Sequence, residues 1–345
     1  MNKVAIGLSG GVDSAAAAKL LLDRGFEIMG IILRLKPDNS ADGDIADAKR
    51  IADTLGIELK VLDRREHFKS SVIEPFIGEY LGGRTPNPCV ECNAAIKFGA
   101  MLDFALEEGC DFLATGHYAR IEEKDGRFLL KRSGSNKDQS YFLHRLTQHQ
   151  LAHAMFPLEG MEKDEIRAIA ANASLPVASK GDSQEICFVP NDDYISYLAS
   201  LGITSPKGKI TDKSGNVLGE HSGIINYTVG QRKGLGAYGK PMFVTGINAE
   251  QNTVIIGENG SQYSSGLVAD RMNYIAFESL DKQMKAQVKI RFRAKEQPAT
   301  VTPNADGTVT IIFDEPQRSV TPGQSAVIYD GDTVIGGGRI IRQID

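Results

Sequence analysis

Lys3-Val4-Ala5-Ile6-Gly7-Leu8-Ser9-Gly10-Gly11-Val12-Asp13-Ser14 decides the first half of the fold. Val4 to Leu8 is a short apolar run stopped by Ser9-Gly10-Gly11, the pattern of a buried strand. Asp13 to Arg24 is rich in alanine and leucine, stops at Gly25, and reads as a helix. A glycine turn between strand and helix gathers backbone N–H groups into a concave anion site, and the helix dipole adds positive potential. Glycines let the backbone approach phosphates, and serine hydroxyls can donate to them. The stretch lacks the lysine of G-x-x-x-x-G-K-[ST] and does not match G-x-G-x-x-G.

Working outward, Phe26–Leu33, Glu58–Leu62 and Phe112–Thr115 read as strands. Asp44–Leu55 and Asn93–Glu108 read as helices, each followed by glycine. This alternation predicts a mainly parallel, doubly wound α/β sheet with ligands at the carboxyl ends of its strands. Met161–Ala171 and Asp192–Leu201 are further helix candidates, and residues 82–88 are the expected mobile loop. After about residue 205 the pattern changes. Residues 218–223, 247–260, 303–316 and 328–340 alternate β-like runs with Gly, Asn and Asp turns. They predict a small β domain followed by a closed barrel. The expected domains are 1–200, 201–265 and 266–345.

The 345 residues are 41% hydrophobic and 24% charged, which excludes a disordered or fibrous chain. The net charge of −5 argues against a non-specific nucleic-acid coat but leaves room for a local basic face. Lys289 to Lys295 alternates basic and apolar residues, as a strand with one cationic face would. No apolar run approaches the roughly 18 residues of a membrane span, and the N-terminus lacks signal-peptide anatomy. A cytoplasmic protein without membrane association is expected. Four cysteines are too few for a disulfide scaffold: Cys89 and Cys92 form a C-x-x-C, Cys187 lies far away, and Cys110 stands apart as a core residue. His149 and His153, four apart, read as ordinary helix residues.

Ser9 to Ser14 resembles the pyrophosphate loop of the ATP pyrophosphatases, whose HUP-type sheets adenylate a carbonyl oxygen and let a nucleophile displace AMP. Further stretches narrow the resemblance: residues 83–93 with Ile96-Lys97-Phe98, 114–120, 137–143, 182–188, 227–236, 313–316 and 321–327. In this order and spacing the chain resembles, over essentially its whole length, the tRNA 2-thiouridylase family. The resemblance implies ATP-dependent insertion of sulfur at C2 of the wobble uridine, U34, in tRNAs for Lys, Glu and Gln. It implies ATP with Mg²⁺ as cofactors. It implies a cysteine desulfurase, a sulfur-relay protein or sulfide as donor. Carried onto this chain, Cys187 would bear the persulfide and Cys92 would be its partner nucleophile, with a disulfide between them as one state. Gly7, Leu8, Ser9, Gly10, Gly11, Val12, Asp13 and Ser14, with Leu33 and Gly116, would hold ATP. Asn87, Pro88 and Cys89 would lie near the target base. His117, Lys137, Asp138, Gln139, Arg291, Phe292 and Gln324 would contact tRNA.

The chemistry asks for two cysteines by itself. A persulfide sulfur that attacks carbon must then be freed from the protein, and a second thiolate frees it by forming a disulfide, or the second cysteine liberates hydrogen sulfide, which attacks instead. The expected place of Cys92 at the start of the Asn93 helix would favour its thiolate. A known form of the family carries Asp where this chain has Cys89, and two readings stay open. Either Cys89 is a spare thiol, or Cys89, Cys92 and Cys187 hold a [4Fe–4S] cluster whose open iron carries the sulfide. Two rivals also stand: an amidating ligase with the same loop, which needs no cysteine pair, and a non-catalytic tRNA-binding or sulfur-carrier protein.

Overall fold

The computed structural model describes residues 2–36, 42–178, 180–181 and 186–345. The chain forms two compact units, residues 1–72, 89–184 and 332–335, and residues 73–88, 185–331 and 336–345.

The first unit is built on β1 (Lys3–Gly7), α1 (Val12–Asp23), β2 (Glu27–Arg34), α2 (Asp42–Leu55) and β3 (Glu58–Asp63). Then come α3 (residues 88–107) and β4 (Phe112–Ala114). The sheet runs β3-β2-β1-β4 and ends on Ala154–Met155, with every pairing parallel. Val4 stands opposite Ile28 on one side and Phe112 on the other. Alanines 15 to 18 and Leu21 of α1 are fully buried, packed with Ile166 and Ala170 of the helix Lys163–Asn172. Burying a leucine such as Leu21 contributes about 2 kcal/mol. The glycine stops form as expected. Gly25 takes φ +82°, with Gly25 N–H donating to Leu22 O and Phe26 N–H to Leu21 O, a Schellman turn. Gly109 ends α3 in the same way.

Two features differ from the sequence reading. Helix α3 starts at Pro88 and not at Asn93, because proline fits the first helical position, where its missing N–H costs nothing. Within it, Asn93–Met101 is wound as a π-helix between α-helical Pro88–Cys92 and Leu102–Glu107. The second feature is a hairpin, Ala119–Lys124 with Arg127–Arg132, turned by Asp125 and Gly126 at φ +52° and +75°.

The second unit contains the helices Glu74–Leu81 and Tyr194–Ser200 and a four-stranded sheet. That sheet runs Met242–Asn248, Thr253–Glu258, Gly208–Thr211, Val217–His221. A six-stranded barrel follows, closed where Tyr263–Tyr274 pairs with Thr333–Ile344. Phe76 and Tyr80 anchor the first helix against the rings of Phe188 and Tyr194. The predicted cationic strand is not formed. The strand Met284–Lys289 ends at Lys289, and Arg291 to Ala294 make a turn closed by Ala294 N–H to Arg291 O. The cause is Arg291, whose guanidinium turns inward to Val229 O, Ser319 O and Thr321 Oγ1. Among the described residues no helix is long and apolar enough to cross a membrane.

Candidate nucleotide and sulfur-transfer site

The sheet order reverses between β1 and β4, the place where ligands of such sheets bind. The carboxyl end of β1 carries Gly7 to Ser14, and that of β4 carries Thr115, Gly116 and His117. Gly10 sits at φ +70°, and a Cβ there would lie 2.8 Å from Asp44 O, so only glycine fits. Ser14 Oγ accepts from Ser9 N–H at 3.1 Å and donates to Gly11 O at 3.1 Å, which fixes the loop. Gly11 caps α1 with no side-chain acceptor, so the cap supplies no partner for the first-turn N–H groups. A Cβ on Gly116 would lie 2.9 Å from Ser14 N, so the two strand ends meet backbone to backbone. Leu33, half-buried near the end of β2, pairs with Leu62 of β3.

The loop's acid is neutralised in place. Asp13 accepts from Tyr118 Oη at 2.7 Å, and Lys163 Nζ donates to both its carboxylate oxygens at 2.8 Å. Lys163 opens a helix, where the dipole opposes a cation, and its side chain is only 14% exposed. That misplaced charge is the signal the sequence held and the reading missed. Behind the loop, Lys180 Nζ donates to Gly10 O at 3.0 Å, Asp47 Oδ2 at 2.7 Å and Asp44 Oδ1 at 3.3 Å. Burial pulls the Lys180 ammonium down, but Asp47 and Asp44 more than reverse this and leave it above its ordinary value.

Helix α3 carries Cys89, exposed, and Cys92, buried one turn later. Because the helix begins at Pro88, Cys92 is not at its N-terminus, and the expected dipole effect on that thiol is withdrawn. Asn93 Nδ2 donates to Phe142 O, Gln150 Nε2 donates to Ala94 O, and Glu91 pairs with Arg145. These contacts hold α3 against residues 139–150. Lys97 Nζ donates to His117 Nε2 at 3.5 Å, and His117 Nδ1 donates to Thr115 Oγ1 at 2.8 Å. Burial first, and the Lys97 charge second, hold the His117 imidazole well below its ordinary value, so it is neutral. Gln139 bonds twice with Tyr118, and Asp138 accepts from Ser133 N–H and Ser140 Oγ, which leaves Lys137 as the exposed member of that trio.

In the second unit, Cys187 is exposed on a turn closed by Val189 N–H to Ile186 O, beside buried Phe188. Burial, then the neighbouring Cys187, push the Tyr197 phenol up. Residues 182–185 of the Cys187 motif lie outside the described residues. The expected mobile loop is instead pinned. Gln324 Nε2 donates to Thr85 O at 2.9 Å and Pro86 O at 3.2 Å, and Thr85 N–H donates to Pro322 O at 2.9 Å. Three motifs far apart in sequence thus meet just before Asn87 and Pro88, since Thr85 Oγ1 also reaches Thr228 Oγ1 at 3.3 Å. Lys289 Nζ stands 5.5 Å from the Phe292 ring centre.

Cys110 is buried, and burial pushes its thiol up, as suits a core residue. His149 and His153 are helix neighbours, with His153 Nδ1 donating to His149 O. Among the described residues no three His, Cys, Asp or Glu side chains gather to hold a metal ion. Cys89 and Cys92 lie in the first unit and Cys187 in the second.

A family model described as the tRNA methyl transferase HUP domain matches residues 2–191. The tRNA methyl transferase PRC-barrel domain matches 196–258, and the aminomethyltransferase beta-barrel domain matches 264–340. Curated relatives match end to end. The tRNA-specific 2-thiouridylase MnmA of Clostridioides difficile (strain 630) is 46% identical over 99% of both chains. That of Acetivibrio thermocellus is 48% identical over 98% of this chain and 99% of its own. That of Clostridium botulinum (strain Alaska E43) is 47% identical over 98% of both. The chain belongs to the tRNA-specific 2-thiouridylase MnmA family.

Proposed function

We propose that the chain is an ATP-dependent tRNA sulfurtransferase that thiolates C2 of the wobble uridine, with tRNAs for Lys, Glu and Gln as substrates. One observation supports this most. The phosphate loop, its acid already neutralised, shares a unit with the C-x-x-C helix, whose Lys97 reaches the His117 next to Gly116. The backbone of Gly7 to Ser14, with Leu33 and Gly116, binds ATP. Asp13 is committed to Lys163 and Tyr118, so Mg²⁺ would travel with the phosphates and neutralise their charge.

The reaction then has two stages. The uridine C2 oxygen attacks the α-phosphorus, an O–P bond forms, and pyrophosphate leaves toward the N–H groups of the loop. The outer sulfur of a Cys187 persulfide next attacks C2, and the C2–O bond breaks to release AMP. Cys92 thiolate attacks the inner sulfur, which frees 2-thiouridine and leaves a Cys92–Cys187 disulfide for an external thiol to reduce. A desulfurase or a relay protein hands over persulfide sulfur, whereas sulfide yields the persulfide only by opening the Cys92–Cys187 disulfide, which gives Cys187 persulfide and Cys92 thiolate. Exposed Lys137 and half-buried Phe292 face the RNA. Arg291, Gln324, Asp138, Gln139 and His117, whose polar atoms bond within the protein, shape the segments that carry them, and Asn87, Pro88 and Cys89 flank the target base.

The cysteine variants test this. Cys92→Ser and Cys187→Ser should each release pyrophosphate with ATP and tRNA yet form no 2-thiouridine, and Cys89→Ser should stay active. Full activity in both of the first two would support the amidating ligase. No pyrophosphate release by the wild type would support a binding protein.

A further inference from the structure

The π-wound turn of α3 has a consequence for Lys97. In an α-helix a residue five positions on is rotated by about 140°. In a π-helix of roughly 4.4 residues per turn the same step rotates by about 50°, and such segments concentrate at functional sites. Asn93–Met101 is π-wound, and Lys97, five residues after Cys92, lies within it.

Three lysines serve this face of the first unit. Lys163 is paired with Asp13, and Lys180 with Asp44 and Asp47. Lys97 has no acidic partner among the described residues and leans on a neutral imidazole. Its charge is uncommitted. The imidazole that holds it is itself oriented by Thr115 and follows Gly116, whose backbone abuts Ser14 at the start of α1.

We propose that Lys97 is a further catalytic residue, the cation that meets the phosphate oxygen of the departing AMP, and that the π winding of α3 presents it there. This rests on the thiouridylase reading. When sulfur attacks C2 and the C2–O bond breaks, the bonding pair goes to the oxygen that leaves with AMP. The adenylyl phosphate thereby gains negative charge. The Lys97 ammonium donates a hydrogen bond to that oxygen and keeps its proton. His117 is a positioning residue that accepts one of the ammonium hydrogens and leaves the others directed at substrate.

The test is a single-turnover assay on the full-length protein with preloaded persulfide, saturating ATP and tRNA, reading pyrophosphate release and 2-thiouridine separately. Lys97→Met should slow 2-thiouridine formation roughly a hundredfold, the usual effect of removing one such donor. Pyrophosphate release and the KM for tRNA should stay within about threefold, and Lys97→Arg should recover at least roughly tenfold. An unchanged thiolation rate would overturn the proposal. So would a raised KM for tRNA with a normal saturated rate, the mark of an RNA-backbone contact, or an equal loss in pyrophosphate release. Lys97→Gln in the same assay decides if the methionine variant does not fold. A wild type that releases pyrophosphate but never thiolates would instead sink the reading on which the proposal rests.

Discussion

Asp13 lies in the one loop meant to receive phosphate, and a bare carboxylate there would repel ATP. Lys163, two hydrogen bonds from it, removes that repulsion. At a separation of 4 Å a like-charge pair costs about 4 kcal/mol at an effective dielectric of 20. Lys163→Met should therefore weaken ATP binding at least roughly tenfold by calorimetry. The double variant Asp13→Asn with Lys163→Met should recover most of it. Additive losses in the double variant would refute the neutralising role. The loop itself was legible because strand, glycine turn and helix leave a local mark. Tyr118 and Lys180 were not, since their partners lie 105 and 170 residues away and nothing local announces them.

At the scale of elements, the stops at Gly25 and Gly109 were readable because each needs the left-handed conformation glycine takes freely. The Asp125-Gly126 hairpin carried a strong turn signal that was overlooked. The π winding of α3 was not readable, because it is a choice of hydrogen-bond partner and no residue type encodes it. The loop at 82–88 looked mobile from its glycines and prolines. Tertiary hydrogen bonds from a turn some 240 residues later decide otherwise. Gln324→Ala would strip the donor from two backbone carbonyls and should destabilise the second unit by about 1–2 kcal/mol. Limited proteolysis should then cut faster within 82–88. Gly323→Ala should do more harm, since its φ is +93° and the new Cβ would lie 2.8 Å from Thr85 O. Unchanged proteolysis in both variants would contradict the clamp.

For the whole molecule, the change of pattern near residue 205 announced the β half. The assignment of helix Glu74–Leu81 to the second unit was hidden, because its anchors Phe188 and Tyr194 lie more than a hundred residues on. Overall stability should carry the mark of His144. Burial pulls its imidazole down to about 4, although Nδ1 donates to Tyr141 O. The folded state therefore resists the proton that the unfolded chain takes near pH 6.5. The contribution is whole above that pH and is lost as pH falls from about 6.5 to about 4, on the order of 3 kcal/mol. Tm should drop over that window, and His144→Gln should flatten the drop. An equal drop in the variant would assign the loss to other groups.

Sulfur transfer to the wobble uridine is tested most directly by nucleoside mass spectrometry. Unmodified tRNA-Glu would be incubated anaerobically with the protein, ATP, Mg²⁺ and a cysteine desulfurase with cysteine as the source of persulfide sulfur, with and without iron. 2-Thiouridine should form at position 34 in both, with AMP and pyrophosphate released. Product only with iron would replace the two-cysteine route by the cluster. No 2-thiouridine from protein shown to be folded and ATP-binding would mean that the chain does not thiolate the wobble uridine.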